Sequence, residues 1–310
     1  MFRGVQIVPP NTKIRFMAMH KVNFAISLAM IIGAIVLVAV KGLNYGIDFK
    51  GGILLEARMD GPADLAALRG SLDQLGLGEV ALQTFGGDDH VLIRIEEQQG
   101  GDAGQQQAVA RIREAMGPST HFERVEVVGP QVSDELFWSG MYALGASILA
   151  IVVYIWFRFE WQFGVAAVLS EVHDIAATVG LFALLGMEFN LTSIAALLTL
   201  AGYSINDTVV VFDRVRENLR KYKSMPMRQL IDMSVNQTLS RTTMTSATAL
   251  LALLALYIFG GEVLRGFSLA MIWGVLIGTY SSIFVGSALL LYMNVRPSTV
   301  TGEVAVGKQP

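Results

Sequence analysis

Acids and bases stand inside apolar runs at three places in this chain. Glu171, His173 and Asp174 interrupt one run, Asn206 and Asp207 a second, and Arg241, within Ser240-Arg241-Thr242, opens a third. Few chemistries suit such groups there. Metal binding needs ligands at fixed spacing, and the four histidines (His20, His90, His121, His173) are scattered without it. Cysteine is absent, which removes disulfides, thiolate ligands and a thiol nucleophile together. There is no P-loop, no Gly-x-Ser-x-Gly and no His-Glu-x-x-His, so hydrolytic or phosphoryl-transfer enzymology is not expected. What remains is proton carriage: an ionisable group inside a membrane span is costly and by default functional. No cofactor is implied beyond protons as the coupling ion.

These side chains must be positioned by membrane helices. Of the 310 residues, 53% are hydrophobic and only 16% charged, with a mean hydropathy of +0.51. A soluble domain carries roughly 25% charged residues. The net charge of −3 gives no basic footprint for nucleic acid. Six stretches have the ~20 apolar residues a bilayer requires: 22–40, 136–157, 163–185, 191–212, 238–259 and 266–292. The first is too long for a signal-peptide core and no cleavage site follows Val40, so it reads as a retained span. Lys and Arg number four in the N-terminal tail (Arg3, Lys13, Arg15, Lys21), one at Arg158, seven over 213–241 and two (Arg296, Lys308) in the 293–310 tail. The short loops on the other side hold only Arg265. By the positive-inside rule both termini are cytoplasmic, and the long loop 42–135 is extracytoplasmic.

Depth then suggests which groups meet. Asp207 lies six residues before Asp213, about 9 Å inside the boundary, and Arg241 roughly 5–8 Å deep on the same rise. An Asp207–Arg241 ion pair is geometrically possible. Asp174 lies near the midplane, about 16 Å from the start of its span. Asp174 and Asp207 read as two steps of a proton path, with Arg241 holding Asp207 ionised until protonation releases it and the helices shift. Blander readings stand beside this one. Arg241 can extend to the interface, Asp213 and Arg214 suit interfacial anchoring, and Glu171 and His173 serve equally as buried polar packing. The sixth span carries a small-residue stripe, Gly274, Gly278, Ser282 and Gly286. Such stripes let helices approach closely, within the bundle, against a partner, or as a sliding surface. Residues 214–236 are basic and partly amphipathic, suited to a membrane surface.

Residues 42–135 form a second domain with 16 acidic residues, a solvated face or a contact surface for a passing chain. Ile53–Arg58, Val80–Phe85, Val91–Ile95 and Phe122–Val127 read as strands. Pro62–Leu75 and Gln105–Met116 read as helices, and Gly86-Gly87-Asp88-Asp89 as a hairpin turn. The order β-α-β-β-α-β is ferredoxin-like, α+β. The predicted architecture is a membrane all-α six-helix bundle carrying this extracytoplasmic domain.

The run Gly202-Tyr203-Ser204-Ile205-Asn206-Asp207-Thr208-Val209-Val210-Val211-Phe212-Asp213-Arg214 closely resembles the bacterial SecF family. So do His173-Asp174, Glu188-Phe189-Asn190-Leu191-Thr192, Asn236-Gln237-Thr238-Leu239-Ser240-Arg241-Thr242 and Gly278-Thr279-Tyr280-Ser281-Ser282. Gly46-Ile47-Asp48-Phe49-Lys50-Gly51-Gly52 and Val128-Gly129-Pro130 are similar to the motifs that enter and leave the family's outer domain. The resemblance implies half of an RND-type transmembrane unit in the bacterial inner membrane, with SecD as the other half. It implies assistance to the SecYEG channel and SecA, with the proton motive force completing preprotein transport. It carries proton-linked roles to Asp174, Asp207 and Arg241, with His173, Asn206 and Asp213 as motif members. Two other readings remain. A half-size transporter of small amphiphiles would need a second large loop, and 186–190 and 260–265 are short. A passive scaffold would tolerate neutral residues at the intramembrane acids.

Overall fold

The computed structural model describes residue 9 and residues 12–78, 80–293 and 295. Arg3, Arg296 and Lys308, and with them most of the 293–310 tail, lie outside the described residues. Among the described residues, six helices are long and apolar enough to cross a membrane. A 3-10 turn (Phe16–Met19) leads into α1 (His20–Lys41); then, after the outer domain, come α5 (Pro130–Arg158), α6 (Trp161–Leu185), α7 (Leu191–Lys221), α8 (Met227–Phe259) and α9 (Gly261–Ser281). The last span continues through a π-helical turn (Ser282–Gly286) into α10 (Ser287–Leu289). The helices outrun their apolar stretches because polar first and last turns stay helical. α5 begins six residues before the expected 136, at Pro130, whose missing N–H costs nothing at a helix start.

Burial sorts the helices. α6, α7 and the last span are buried over half or more of their most apolar windows, α1, α5 and α8 over about a tenth. The exposed apolar residues of α1, such as Leu28, Ile32 and Ile35, therefore suit lipid or a partner. Two apolar clusters hold the bundle. Phe159, Phe163, Phe212, Val215, Leu230 and Ile231 fill the end far from the outer domain. Phe182, Phe189, Leu197, Leu200 and Met271 fill the end beside it.

The outer domain contains β2 (Gly52–Arg58), α3 (Leu65–Asp73), β3 (Val80–Phe85), β4 (Gly87–Ile95), α4 (Gly101–Met116) and β5 (His121–Val128). Its sheet order is β3-β4-β2-β5, antiparallel throughout, which is the ferredoxin-like arrangement. Ile53, Leu55, Ile93, Ile95, Leu72 and Ile112 form its core. Two details differ from the sequence reading. α3 starts at Leu65 rather than Pro62, because the Asp64 carboxylate accepts from the N–H groups of Ala66 and Ala67, each at 3.0 Å. The hairpin is tighter than four residues: β4 already begins at Gly87, and the register shifts between Thr84 and Phe85.

A short connector docks this domain on the bundle. β1 (Asn44–Tyr45) pairs in parallel with β6 (Glu188–Phe189), between α6 and α7. The single turn α2 (Ile47–Lys50) follows, and its Asp48 carboxylate accepts from the N–H of Leu191 at 3.0 Å, covering the start of α7. Gly52 has φ +116°, and a Cβ there would lie 2.4 Å from the Ile95 carbonyl oxygen, so only glycine fits where β2 enters the sheet.

Candidate functional site

The small-residue stripe decides how the central helices meet. Gly274 faces Leu200, Gly278 faces Ser204, and Gly286 faces Phe212 and Ser170. The glycines of α9 and its π turn thus track α7 in steps of four residues, inside the chain rather than against a second subunit. A Cβ on Gly278 would stand 3.1 Å from both Cβ and Oγ of Ser204. Close approach brings serine hydroxyls from both helices to the same depth as Asp174 on α6.

Asp174 is fully buried. Its Oδ2 accepts from Ser204 Oγ of α7 at 2.5 Å and from Ser281 Oγ of α9 at 2.7 Å. Its Oδ1 lies 2.9 Å from His173 Nδ1. The carboxylate therefore ties three spans together. His173 is its ion-pair partner when protonated, and no Lys or Arg forms a salt bridge with it among the described residues. The net charge of this dry cluster depends on protons alone. His173 also lies against the Tyr280 ring, with centroids 6.1 Å apart. Adjacent residues point about 100° apart on a helix, yet the imidazole turns back to its neighbour. The Tyr280 hydroxyl donates to the Asn23 carbonyl at 3.0 Å and lies 3.1 Å from Ser27 Oγ, bringing α1 into the network.

One turn further along α7, away from the outer domain, Asp207 is also buried. Its Oδ1 accepts from Thr245 Oγ1 of α8 at 3.5 Å, a long contact, and Oδ2 has no hydrogen-bond partner among the described residues. Ser246 Oγ is 2.7 Å from Thr279 Oγ1, joining α8 to α9 at this level. Glu171, one turn from Asp174 on α6, is buried with Oε1 likewise unpartnered within the chain.

The remaining sequence candidates divide. Asp207 and Arg241 do not form a salt bridge: Arg241 is exposed and lines a basic cleft at the far end. Matching depth says nothing of azimuth, and a long guanidinium side chain one turn below Thr245 reaches water more cheaply than a buried acid. Asn206 is exposed on the outer side of α7, away from Asp174. Asp213 binds Arg158 at 2.6 Å through both its oxygens, an interfacial anchor between α7 and α5. Ser282 donates to Thr279 O within its own helix. Residue type alone does not mark Ser204, Ser281 or Thr245 as site residues; Ser204 and Ser281 stand within the runs 202–214 and 278–282, and Ser204 precedes Asp207 by one turn.

A bundle of six helices long enough to cross a membrane, with buried acids bonded to hydroxyls and one ferredoxin-like domain on a docked connector, defines a polytopic membrane protein. The chain belongs to the SecD/SecF family of protein export membrane proteins. The model for the C-terminal region of protein export membrane protein SecD/SecF matches residues 108–296, and the SecD/SecF GG motif matches residues 36–63. Protein translocase subunit SecF of Rhodobacter capsulatus is 45% identical, covering 93% of this chain and 91% of that one. SecDF of Brucella abortus is 42% identical over 98% of this chain and 40% of its own length. The crystal structure of SecDF from Thermus thermophilus superposes with TM-score 0.83 at 38% identity, over 91% of this chain and 39% of that one.

Proposed function

We propose that this chain is the SecF-type half of a proton-driven protein-export unit. Its partner is a SecD-type chain, a reading supported by relatives in which both stand in one polypeptide. Together they use the proton motive force to drive late preprotein translocation through the SecYEG channel, after the stage powered by SecA. The chain lies in the bacterial inner membrane with both termini cytoplasmic and the ferredoxin-like domain outside.

One observation carries the reading: Asp174 joins α6, α7 and α9 by accepting from both Ser204 and Ser281 through one carboxyl oxygen. An ionised Oδ2 accepts two hydroxyl protons. Protonation of that oxygen leaves room for fewer donors. Ser281 has an alternative acceptor ready, the Gly278 carbonyl of its own helix at 3.2 Å. A proton on that oxygen therefore loosens the Ser281 tie between α9 and α6, leaving the Trp273 indole bonded to the Ala177 carbonyl at 3.3 Å, and eases the glycine stripe on α7. The proton comes by Asp207, one turn away and held by a single weak bond. α6 and α7 end at β6, which holds β1 and the connector, so a shift of either helix reaches the outer domain. This is a two-state packing change biased by a charge.

The test is proton entry into proteoliposomes holding both chains and the channel, followed with a pH-sensitive dye while preprotein is translocated. Wild type passes protons, and Asp207→Asn, assembled equally, does not. Equal proton entry in both would refute the path and favour a passive scaffold.

A further inference from the structure

The basic cleft that takes Arg241 is itself a site. It measures about 890 Å³ and lies at the far end of the bundle between α5, α7 and α8. Six cations line it: Arg158, Arg214, Arg216, Arg220, Lys221 and Arg241. The two carboxylates in its wall are already engaged, Asp213 by Arg158 at 2.6 Å and Glu217 by Arg214 at 2.8 Å. Lys221 leans over the Tyr222 ring, its ammonium 5.4 Å from the centroid. Among the described residues Arg220 and Arg241 form no salt bridge, and the buried Nε of Arg216 has no acceptor. Arg216 Nη1 donates to the Arg158 carbonyl at 3.3 Å and Arg241 meets the Asp207 charge only at a distance, so four basic groups line one concavity with no salt bridge among the described residues. Such convergence is unfavourable by self-repulsion unless an outside anion joins it.

Depth identifies the source of that anion. Trp156 and Phe157 precede Arg158, Trp161 follows it, and all three are exposed, at 76%, 89% and 68%. Exposed tryptophans at the end of one span and the start of the next mark the headgroup level of a bilayer. Arg158 shares that level, and the cleft runs from it along the last two turns of α7 to Arg220 and Lys221, about 10–12 Å beyond Asp213. Basic pockets between membrane helices at this depth suit anionic lipid headgroups.

We propose that this cleft binds the phosphate of an anionic phospholipid, with Arg216, Arg220, Lys221 and Arg241 around the headgroup and the acyl chains along α5 and α8. The lipid would stand one helical turn from Thr245, and so from the hydroxyl that holds Asp207. Lipid composition would then bear on the helix that carries the acid.

The test uses the full chain in zwitterionic detergent. Retention of phosphatidylglycerol and of phosphatidylcholine is compared by native mass spectrometry, with inorganic phosphate as competitor. Phosphatidylglycerol should bind at least tenfold more tightly than phosphatidylcholine, roughly what two or more basic contacts supply. The double variant Arg220→Gln/Lys221→Gln, both exposed in the last turn of α7 and expected to fold, should lose about tenfold of that preference. Arg228→Gln, exposed at the same end but outside the cleft, should keep it. Equal retention of both lipids, an unchanged double variant, or an equal loss in Arg228→Gln would each overturn the proposal. Displacement by millimolar phosphate alone would make this a free-phosphate site and overturn the lipid assignment.

Discussion

Ser204 and Ser281, on different helices, donate to the same oxygen of Asp174, at 2.5 and 2.7 Å. Shared acceptors couple their donors. Each serine-to-alanine change should destabilise the detergent-solubilised protein by about 1–3 kcal/mol, as for hydrogen bonds to a charged group. The double variant should depart from additivity by about 0.5 kcal/mol or more, read from thermal unfolding as a double-mutant cycle. Strict additivity would mean the two hydroxyls do not share one carboxylate oxygen.

Gly278 separates Ser204 from α9 by less than a methyl group. Gly278→Ala should therefore reproduce the loss seen in Ser204→Ala, because Ser204 has to move away from Asp174. Gly274→Ala would put its Cβ 2.5 Å from Cδ1 and 3.1 Å from Cγ of the buried Leu200, so it should cost at least as much, by overpacking rather than by a lost hydrogen bond. Melting temperatures of Gly278→Ala alone and combined with Ser204→Ala check the link to Ser204, and full additivity of the two would remove Ser204 from the stripe's role.

Arg94 of β4 reaches across to Glu188 of β6 at 2.5 Å, a direct ion pair between the outer domain and the bundle. Burial pushes the Glu188 carboxyl above its ordinary 4.5, and the Arg94 guanidinium opposes this only in part. A carboxyl raised by docking binds its proton more tightly when docked. Its contribution to docking is thus fully present below pH 4.5 and lost as pH rises from there through the raised value. Glu188→Gln should accordingly leave docking at neutral pH unchanged or firmer and flatten this pH dependence. Arg94→Ala should loosen it, by leaving a half-buried carboxylate without a cation. Hydrogen exchange along β1 and β6 reports both; faster exchange in Glu188→Gln than in Arg94→Ala would contradict the argument.

Asn236 of α8 holds the backbone of Ile14 by both ends of its amide, accepting from the N–H at 3.0 Å and donating to the carbonyl at 2.8 Å. Asp232 accepts from the N–H of Met17 at 2.8 Å. Asn236→Ala should release the segment before α1, raising exchange of the Ile14 amide several-fold, about what one or two exposed hydrogen bonds of ~1 kcal/mol protect. Unchanged exchange would show that Asp232 and packing hold the segment alone.

Much of this was legible in the sequence. Apolar length locates six spans, alternation locates three of the four strands of the outer domain, Ile53–Arg58 reads as a strand without it, and the cost of a buried charge points to Asp174 and Asp207. The contacts between elements were not legible. Depth along a helix put Asp207 beside Arg241, but azimuth and side-chain length send Arg241 to the cleft. The β1–β6 pair is two residues long and leaves no period to read. Ser204 and Ser281 look like ordinary helix serines, which usually bond their own backbone, and only the close approach allowed by Gly278 turns them toward Asp174.

If a proton at Asp174 and Asp207 moves helices that act on a translocating chain, the effect of the gradient on translocation depends on both acids. The most direct test of this dependence is preprotein translocation in sealed inverted vesicles supplied with ATP, with the proton gradient intact or collapsed. Wild type should be stimulated by the gradient. Asp174→Asn and Asp207→Asn, present at equal levels, should translocate only at the collapsed-gradient rate. Full gradient stimulation in both variants would contradict the account and leave the chain a scaffold.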